Sequence, residues 1–518
     1  MKVFQGKLMQ YILKNAVRTV QYRSFTNVLS GPFNYVDGSK VTPVDFEDNI
    51  VVIQPSTGKR LCCVPASGSK DVNHAVLAAK LAFKEWSRQS NTQRGRLLLS
   101  AGKKIRDNLE YISQVEVNNN GKPIWEARVD IASCADAFEY FGGIIGSLTG
   151  QHVPFQGNSF AIVSREPLGV VGGIGAWNFP LQTCSWKVAP ALACGNTMVF
   201  KPSPLTPLTA IILAELLEEV GFPKGAFNVI QGGAATGNAL CSHPSVAKVS
   251  FTGSVDTGVK VMKAAADGIK KVTLELGGKS PIIIFDDADM ENSVKATLMG
   301  NFLSQGAVCS NGTRVFVHEK IASSFLDCLI EATKKLKIGD PFKEDTTVGA
   351  TISNDHARKV LRYIENAKKS GAVVAYGGEI VTLPPPLNEG IYISPCILTN
   401  CNDTMQVVKE EVFGAVLSFL TFSSEEEVIE RANNTKFGLA GAVFTRDIQR
   451  AMRVIRQLEA GTIWINNYNI YPPEVPFGGY KFSGLGRENG TAVLEHYTQQ
   501  KTVYMEAGNV DCGPLYQK

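Results

Sequence analysis

The chain has 518 residues, 44% of them hydrophobic, and carries 52 lysines and arginines against 48 aspartates and glutamates. That length exceeds a single small module and allows two or three domains, each with a substantial core. The near balance of charge, with no dense basic block in the body, argues against a nucleic-acid backbone as partner, and no apolar run approaches the roughly 18 residues of a membrane span.

The first 28 residues stand apart. Lys2, Lys7, Lys14, Arg18 and Arg23 alternate with apolar residues, Ser24 and Thr26, and no acidic residue precedes Asp37. This basic extension suits either a mitochondrial transit peptide or a disordered tail on a cytosolic protein. Further on, Ser69 is placed to cap a helix in which Val72, Ala75, Val76, Ala79, Ala82 and Phe83 share one face. Short apolar runs then follow at LGVVGGIG, TMVFK, FNVIQ and KVSFTG, with helical stretches such as TAIILAELLEEV between them. Alternation of this kind predicts βαβ units, a parallel sheet and an α/β fold. The loop from Gly253 to Gly258 leaves a strand and enters a helix, where free N–H groups and the helix dipole suit a pyrophosphate. It is not a GxGxxG fingerprint. Lys201, at the end of TMVFK, stands where open α/β sheets bind ligands and can reach ribose hydroxyls.

Two segments supply candidate chemistry. VTLELGGKSP carries Glu275, a carboxylate between Leu274 and Leu276 whose pKa should rise by desolvation. FLSQGAVCSNGTR carries Cys309, a thiol that needs a nearby base or dipole to ionise at neutral pH. The other cysteines among the 11 present have no CxxC spacing, so neither a disulfide framework nor a metal site is expected.

GAWNFP, KPSP, SFTGS, ELGGKSP, GAVCSNG, EEVFG and PFGGYKFSGLGRE occur in one order. In order and separation they resemble the signature set of the NAD(P)-dependent aldehyde dehydrogenase superfamily, from about Phe33 to about Glu506. GVVGGIGAWNFP, ALACGNTMVFKPSPLTP, QGGAATG and INNYN followed by PFGGYK are most similar to its trimethylaminobutyraldehyde and betaine aldehyde group. The resemblance implies oxidation of a small aldehyde through a Cys309 thiohemiacetal and thioester. Glu275 would be the general base, and the Asn178 amide with the Cys309 N–H would hold the oxyanion. Lys187 matches a lysine assigned to proton relay. NAD is the implied cofactor, with contacts from Ile174, Trp177, Lys201, Ser203, Gly253, Ser254, Val255, Asp256, Thr257, Glu411 and Phe413. Pro204 stands where many NAD-preferring relatives carry a glutamate, so NAD over NADP rests on the group resemblance. Ala307 replaces the usual glutamine before the cysteine, and Ala415 the usual proline after EEVFG. Gly277 and Gly278 would let the backbone approach the nicotinamide. Phe179, Trp186, Tyr468, Tyr471 and Phe477 are candidates for an aromatic cage around a cationic head group.

The implied architecture is a Rossmann-like cofactor domain (29–147 and 167–277), an α/β catalytic domain (278–480) and a β-hairpin oligomerisation arm (148–166 and 495–508) that builds a homotetramer. Preferred aldehydes would be 4-trimethylaminobutyraldehyde, a step of carnitine biosynthesis, and 4-aminobutyraldehyde, with betaine aldehyde or aliphatic aldehydes as competitors. Two readings from other classes are a cysteine esterase with no redox step and a silent NAD-binding structural oligomer. Retention of Lys201, Gly253 and Glu411 argues against the first, and of Cys309, Glu275 and Asn178 against the second.

Overall fold

The computed structural model describes residues 29–31 and 33–515, so the basic N-terminal extension lies outside the described residues. The first long helix, α1 (Ser69–Trp86), starts one residue earlier than its sequence suggests: Gly68 is the N-cap and Ser69 already belongs to the first turn. Its predicted apolar face is buried except for the partly exposed Phe83. At its end Trp86 is wholly buried and its indole N–H donates to Leu192 O at 3.1 Å. The next helix, α2 (Asn91–Asp107), opens with a capping box in which Ser90 and Gln93 satisfy each other's backbone N–H groups. α3 (Ile124–Ile144) packs against α2 and carries a row of buried carboxylates into the interior.

The predicted strands form β1 (Val170–Ile174), β2 (Thr197–Lys201), β3 (Phe227–Val229) and β4 (Val246–Thr252), and β5 (Lys271–Glu275) joins them. These five strands run parallel in the order β3-β2-β1-β4-β5, within a sheet of eight completed by Asn34–Val36, Ser39–Val41 and Gly484–Leu485. Both sheet faces are covered, which is why β1 and β2 read as unbroken buried runs rather than alternating ones. The register pairs Ile174 with Lys201, Phe251 with Ile174, and Thr252 with Glu275. Four strands therefore end together at one carboxyl edge, and the order reverses between β1 and β4, the position where open α/β sheets bind ligands.

A second sheet of seven strands is built from residues 281–465 and is parallel except for Val373–Tyr376 at one edge. A third, three-stranded sheet joins Gln151–Pro154 and Phe160–Pro167 to Thr498–Met505 near the other end of the chain. Among the described residues no helix is long and apolar enough to cross a membrane.

Candidate active site

A cavity of about 3110 Å³ runs along the carboxyl edge of the first sheet and between it and the second. Cys309 reaches it from a loop with an unusual path. Ser304, Gln305 and Gly306 adopt φ of +50°, +53° and +75° in succession, and left-handed backbone at the first two costs on the order of 1–3 kcal/mol each. Gly306 is required, because a Cβ there would overlap the backbone of Gly414 and Ala415. The strained turn is held on several sides. The Ser304 N–H donates to both oxygens of Glu126 at 3.2 and 3.0 Å, and Asn311 Nδ2 donates to Gly306 O at 3.2 Å. Beyond the cysteine, Tyr468 OH donates to Ser310 O at 2.7 Å and Ser310 Oγ to Asn469 Oδ1 at 3.0 Å. The sulfur is thus presented on an over-determined loop, partly exposed to the cavity and packed among Trp186, Leu439, Tyr471 and Phe477.

Burial pushes the Cys309 thiol up to about 12, and the carboxyls of Glu411 and Glu275 add to this, while the backbone N–H groups of Ser310 and Cys309 itself oppose it. Glu275, the last residue of β5, is held well above the ordinary carboxyl value by burial first and by the neighbouring Glu488 second; Lys187 and Arg487 pull it back. Neither Glu275 oxygen has a hydrogen-bond partner among the described residues. A buried carboxyl lining a cavity with both oxygens unpaired can accept a proton from a thiol or a water placed there. Behind it Lys187 pairs with Glu488 at 2.8 Å, also donating to Thr252 Oγ1 at 2.7 Å, and Ser250 Oγ donates to Glu488 Oε1 at 3.0 Å. Asn178, which precedes α4 (Pro180–Ala193), points its amide at the cysteine loop: Nδ2 donates to Ala307 O at 2.9 Å.

Of the residues expected to hold a dinucleotide, Ile174, Trp177, Lys201, Ser203, Gly253, Ser254, Thr257, Glu411 and Phe413 line the cavity. Lys201 is buried, which lowers its ammonium to about 8, and it spends two of its three donors on Pro202 O and Gly232 O, both at 2.9 Å. Ser254 caps the helix Val255–Ala266, whose N-terminus follows β4 at the switch point. Glu411 accepts from the Gly278 N–H at 3.1 Å, and burial raises it to about 7. Phe413 has φ +59° and meets Trp177 edge-on, at 5.2 Å and 89°. A cation, a helix N-terminus and a carboxylate spaced along one cleft fit ribose hydroxyls and a pyrophosphate. Val255 and Asp256 do not join them. Val255 turns into the apolar core and Asp256 is exposed on the first helical turn, because successive residues at a helix start face different ways.

The five aromatic candidates separate. Trp186, Tyr471 and Phe477 line the cavity beside Cys309 and meet one another edge-to-face, at 6.3 Å for Trp186–Tyr471, 5.6 Å for Trp186–Phe477 and 5.2 Å for Tyr471–Phe477. Phe179 lines the cavity as well, but the Lys122 ammonium already sits 4.1 Å from its ring centroid. Tyr468 is not a cavity residue. It is fully buried in the core of the second sheet, where its hydroxyl supports the cysteine loop.

The model of the aldehyde dehydrogenase family matches residues 42–503. The chain belongs to that family. It is 55% identical to the human (Homo sapiens) 4-trimethylaminobutyraldehyde dehydrogenase over 487 residues, 94% of this chain and 99% of that protein, and 54% identical to the zebrafish (Danio rerio) 4-trimethylaminobutyraldehyde dehydrogenase A, 94% and 96% covered. Among solved structures, betaine aldehyde dehydrogenase from Staphylococcus aureus in complex with NAD+ superposes with a TM-score of 0.91 at 38% identity, covering 98% of this chain and all of that one.

Several residues of this site carry no sequence signal of their own. His356 lies on the helix Asn354–Lys369, stacks edge-on to Trp177 at 5.1 Å and fixes the Phe413 carbonyl through Nε2 at 2.8 Å. Glu488 ends a recognisable motif, yet only the fold brings it 2.8 Å from Lys187, 301 residues away. Glu126 and Asp130 belong to an α3 stretch that reads as an ordinary helix start, and Lys122 to the short connection before it.

Proposed function

We propose that this member of the family oxidises cationic four-carbon aldehydes with NAD, turning 4-trimethylaminobutyraldehyde into 4-trimethylammoniobutanoate and also accepting 4-aminobutyraldehyde. The observation that carries the reading is the trio Trp186, Tyr471 and Phe477 beside Cys309. Each ring can contribute about 0.5–2 kcal/mol to an alkylammonium, according to how far the contact is desolvated. The names of the relatives at 54–55% identity support the same substrate. Betaine aldehyde, suggested by the structural neighbours, is the competing substrate.

In this reading Glu275 takes the thiol proton and the Cys309 sulfur attacks the aldehyde carbon, giving a thiohemiacetal. The Asn178 amide and the Cys309 N–H hold the oxyanion, donors whose individual loss typically costs on the order of a hundredfold to a thousandfold in turnover. The chemistry that NAD supplies when bound is acceptance of a hydride. Lys201, Gly253, Ser254 and Glu411 would hold it. Once the thiol proton has passed from Glu275 to solvent, the regenerated carboxylate takes a proton from the water that hydrolyses the thioester, with Lys187 and Glu488 near it. The three-stranded sheet, with Val153, Ile162, Val503 and Tyr504 exposed on it, suits an arm that pairs with neighbouring subunits in a homotetramer.

Steady-state NADH formation with 4-trimethylaminobutyraldehyde, 4-aminobutyraldehyde, betaine aldehyde and hexanal at fixed NAD tests the substrate assignment. The cationic four-carbon aldehydes should give the highest kcat/KM. Equal or faster use of hexanal would leave the dehydrogenase chemistry standing and remove the cationic pocket.

A further inference from the structure

We propose that Glu126 is a positioning residue for catalysis, whose carboxyl holds the left-handed turn Ser304–Gln305–Gly306 and so fixes where the Cys309 sulfur stands. The inference rests on Cys309 being the nucleophile.

The geometry is specific. Glu126 is buried on the first turn of α3, and both of its oxygens accept from one backbone group, the Ser304 N–H, at 3.2 and 3.0 Å. That N–H belongs to the first of three consecutive residues with positive φ. Non-glycine residues keep such backbone only where their surroundings enforce it. The last of the three, Gly306, abuts the Gly414–Ala415 backbone of the segment that carries Glu411 and Phe413. The turn is therefore clamped between a side chain from α3 and the loop that faces the cofactor, and Cys309 follows three residues later. Lys122, which pairs with Asp130 at 2.5 Å, supplies a positive charge that partly offsets the burial of Glu126, with Asp130 opposing. A carboxyl so deeply buried for the sake of one backbone donor is a costly way to hold an ordinary loop, and this loop presents the reactive sulfur.

Without the acceptor, the turn relaxes toward ordinary backbone and the sulfur shifts against Asn178 and Glu275. Misplacement by about 1 Å can cost on the order of a hundredfold in rate. The test uses the full-length enzyme and two readouts: the rate at which iodoacetamide alkylates Cys309, located by peptide mass, and kcat against KM for NAD. Glu126→Ala should lower both the alkylation rate and kcat by on the order of tenfold to a hundredfold, with KM for NAD within about twofold. Glu126→Gln keeps one acceptor oxygen in place and should recover most of the loss. Should Glu126→Ala fail to fold, Glu126→Asp, one methylene too short to reach Ser304, takes its place: slower than Glu126→Gln supports the proposal, and equal to it overturns it. An alkylation rate and kcat unchanged in Glu126→Ala, whatever its Tm, would also overturn it. If instead alkylating Cys309 in the wild type leaves turnover intact, it is the nucleophile assignment that fails.

Discussion

Glu275 and Cys309 lie within one desolvated space, where burial and then Glu488 hold the Glu275 carboxyl up, and burial, Glu411 and Glu275 hold the Cys309 thiol up. A general base must be ionised to work, so a carboxyl held well above its ordinary value of 4.5 gives turnover that climbs with pH as Glu275 loses its proton. Glu275→Gln, which removes the base for both the thiol and the water, should slow the first release of NADH as well as the steady state, with turnover lower by about a hundredfold to ten-thousandfold and the rising pH limb gone. A normal steady state with an unchanged limb would remove Glu275 as the base. The stability sign is the opposite. The folded chain retains the Glu275 proton while the unfolded chain has lost it above about 4.5, so this residue costs stability increasingly as pH rises from there. Thermal melts of Glu275→Gln should exceed wild type by a margin that widens with pH. Cys309→Ala should abolish aldehyde oxidation and leave NAD binding, measured by calorimetry, largely intact.

At the scale of elements, the decisive contact is between the turn after β5 and the two loops that meet it. The tandem glycines Gly277 and Gly278 suggest close approach of a nicotinamide, but the structure shows a nearer constraint. A Cβ on Gly277 would collide with the Glu411 carboxylate, and one on Gly278 would stand 2.5 Å from the Cys309 carbonyl oxygen. The consequences differ because a carboxylate is the free end of a flexible side chain and a carbonyl is fixed backbone. Gly277→Ala should chiefly raise KM for NAD, since Glu411 can swing aside at the cost of the ribose contacts proposed for it. Gly278→Ala should chiefly lower kcat by displacing the nucleophile loop. Steady-state kinetics with NAD varied would separate the two, and identical profiles would contradict this division. The strands that build this corner are legible in the chain, because VVGGI, TMVFK and KVSFT are short runs rich in β-branched and aromatic residues that stop at Gly175, Pro202 and Gly253. The left-handed turn before Cys309 is not legible, since Ser304 and Gln305 have no residue preference for positive φ and hold it through partners elsewhere in the fold.

Across the whole molecule, Thr498–Met505 pairs residue for residue with Phe160–Pro167, more than 300 positions earlier. Removing the chain from Thr498 onward would leave that strand with one unpaired edge, which in solution invites non-native pairing. Light scattering should then show loss of the proposed homotetramer or aggregation. An intact tetramer after this truncation would place the subunit contacts elsewhere.

The sequence by itself determined the family, the α/β alternation and the positions of Cys309, Glu275 and Asn178, because these depend on short contiguous motifs whose backbone needs are local. It also placed the strand-ending residues proposed to hold the dinucleotide, which line the cavity, since a strand's carboxyl end is read from where its apolar run stops. Only the tertiary structure decided which aromatic rings face the cavity, that Tyr468 is instead a buried prop, and that Val255 and Asp256 turn away. It alone brought Glu126, His356 and Glu488 to the site. Side-chain direction and the charge felt by a buried carboxyl depend on neighbours hundreds of residues away, and no local pattern encodes such distances.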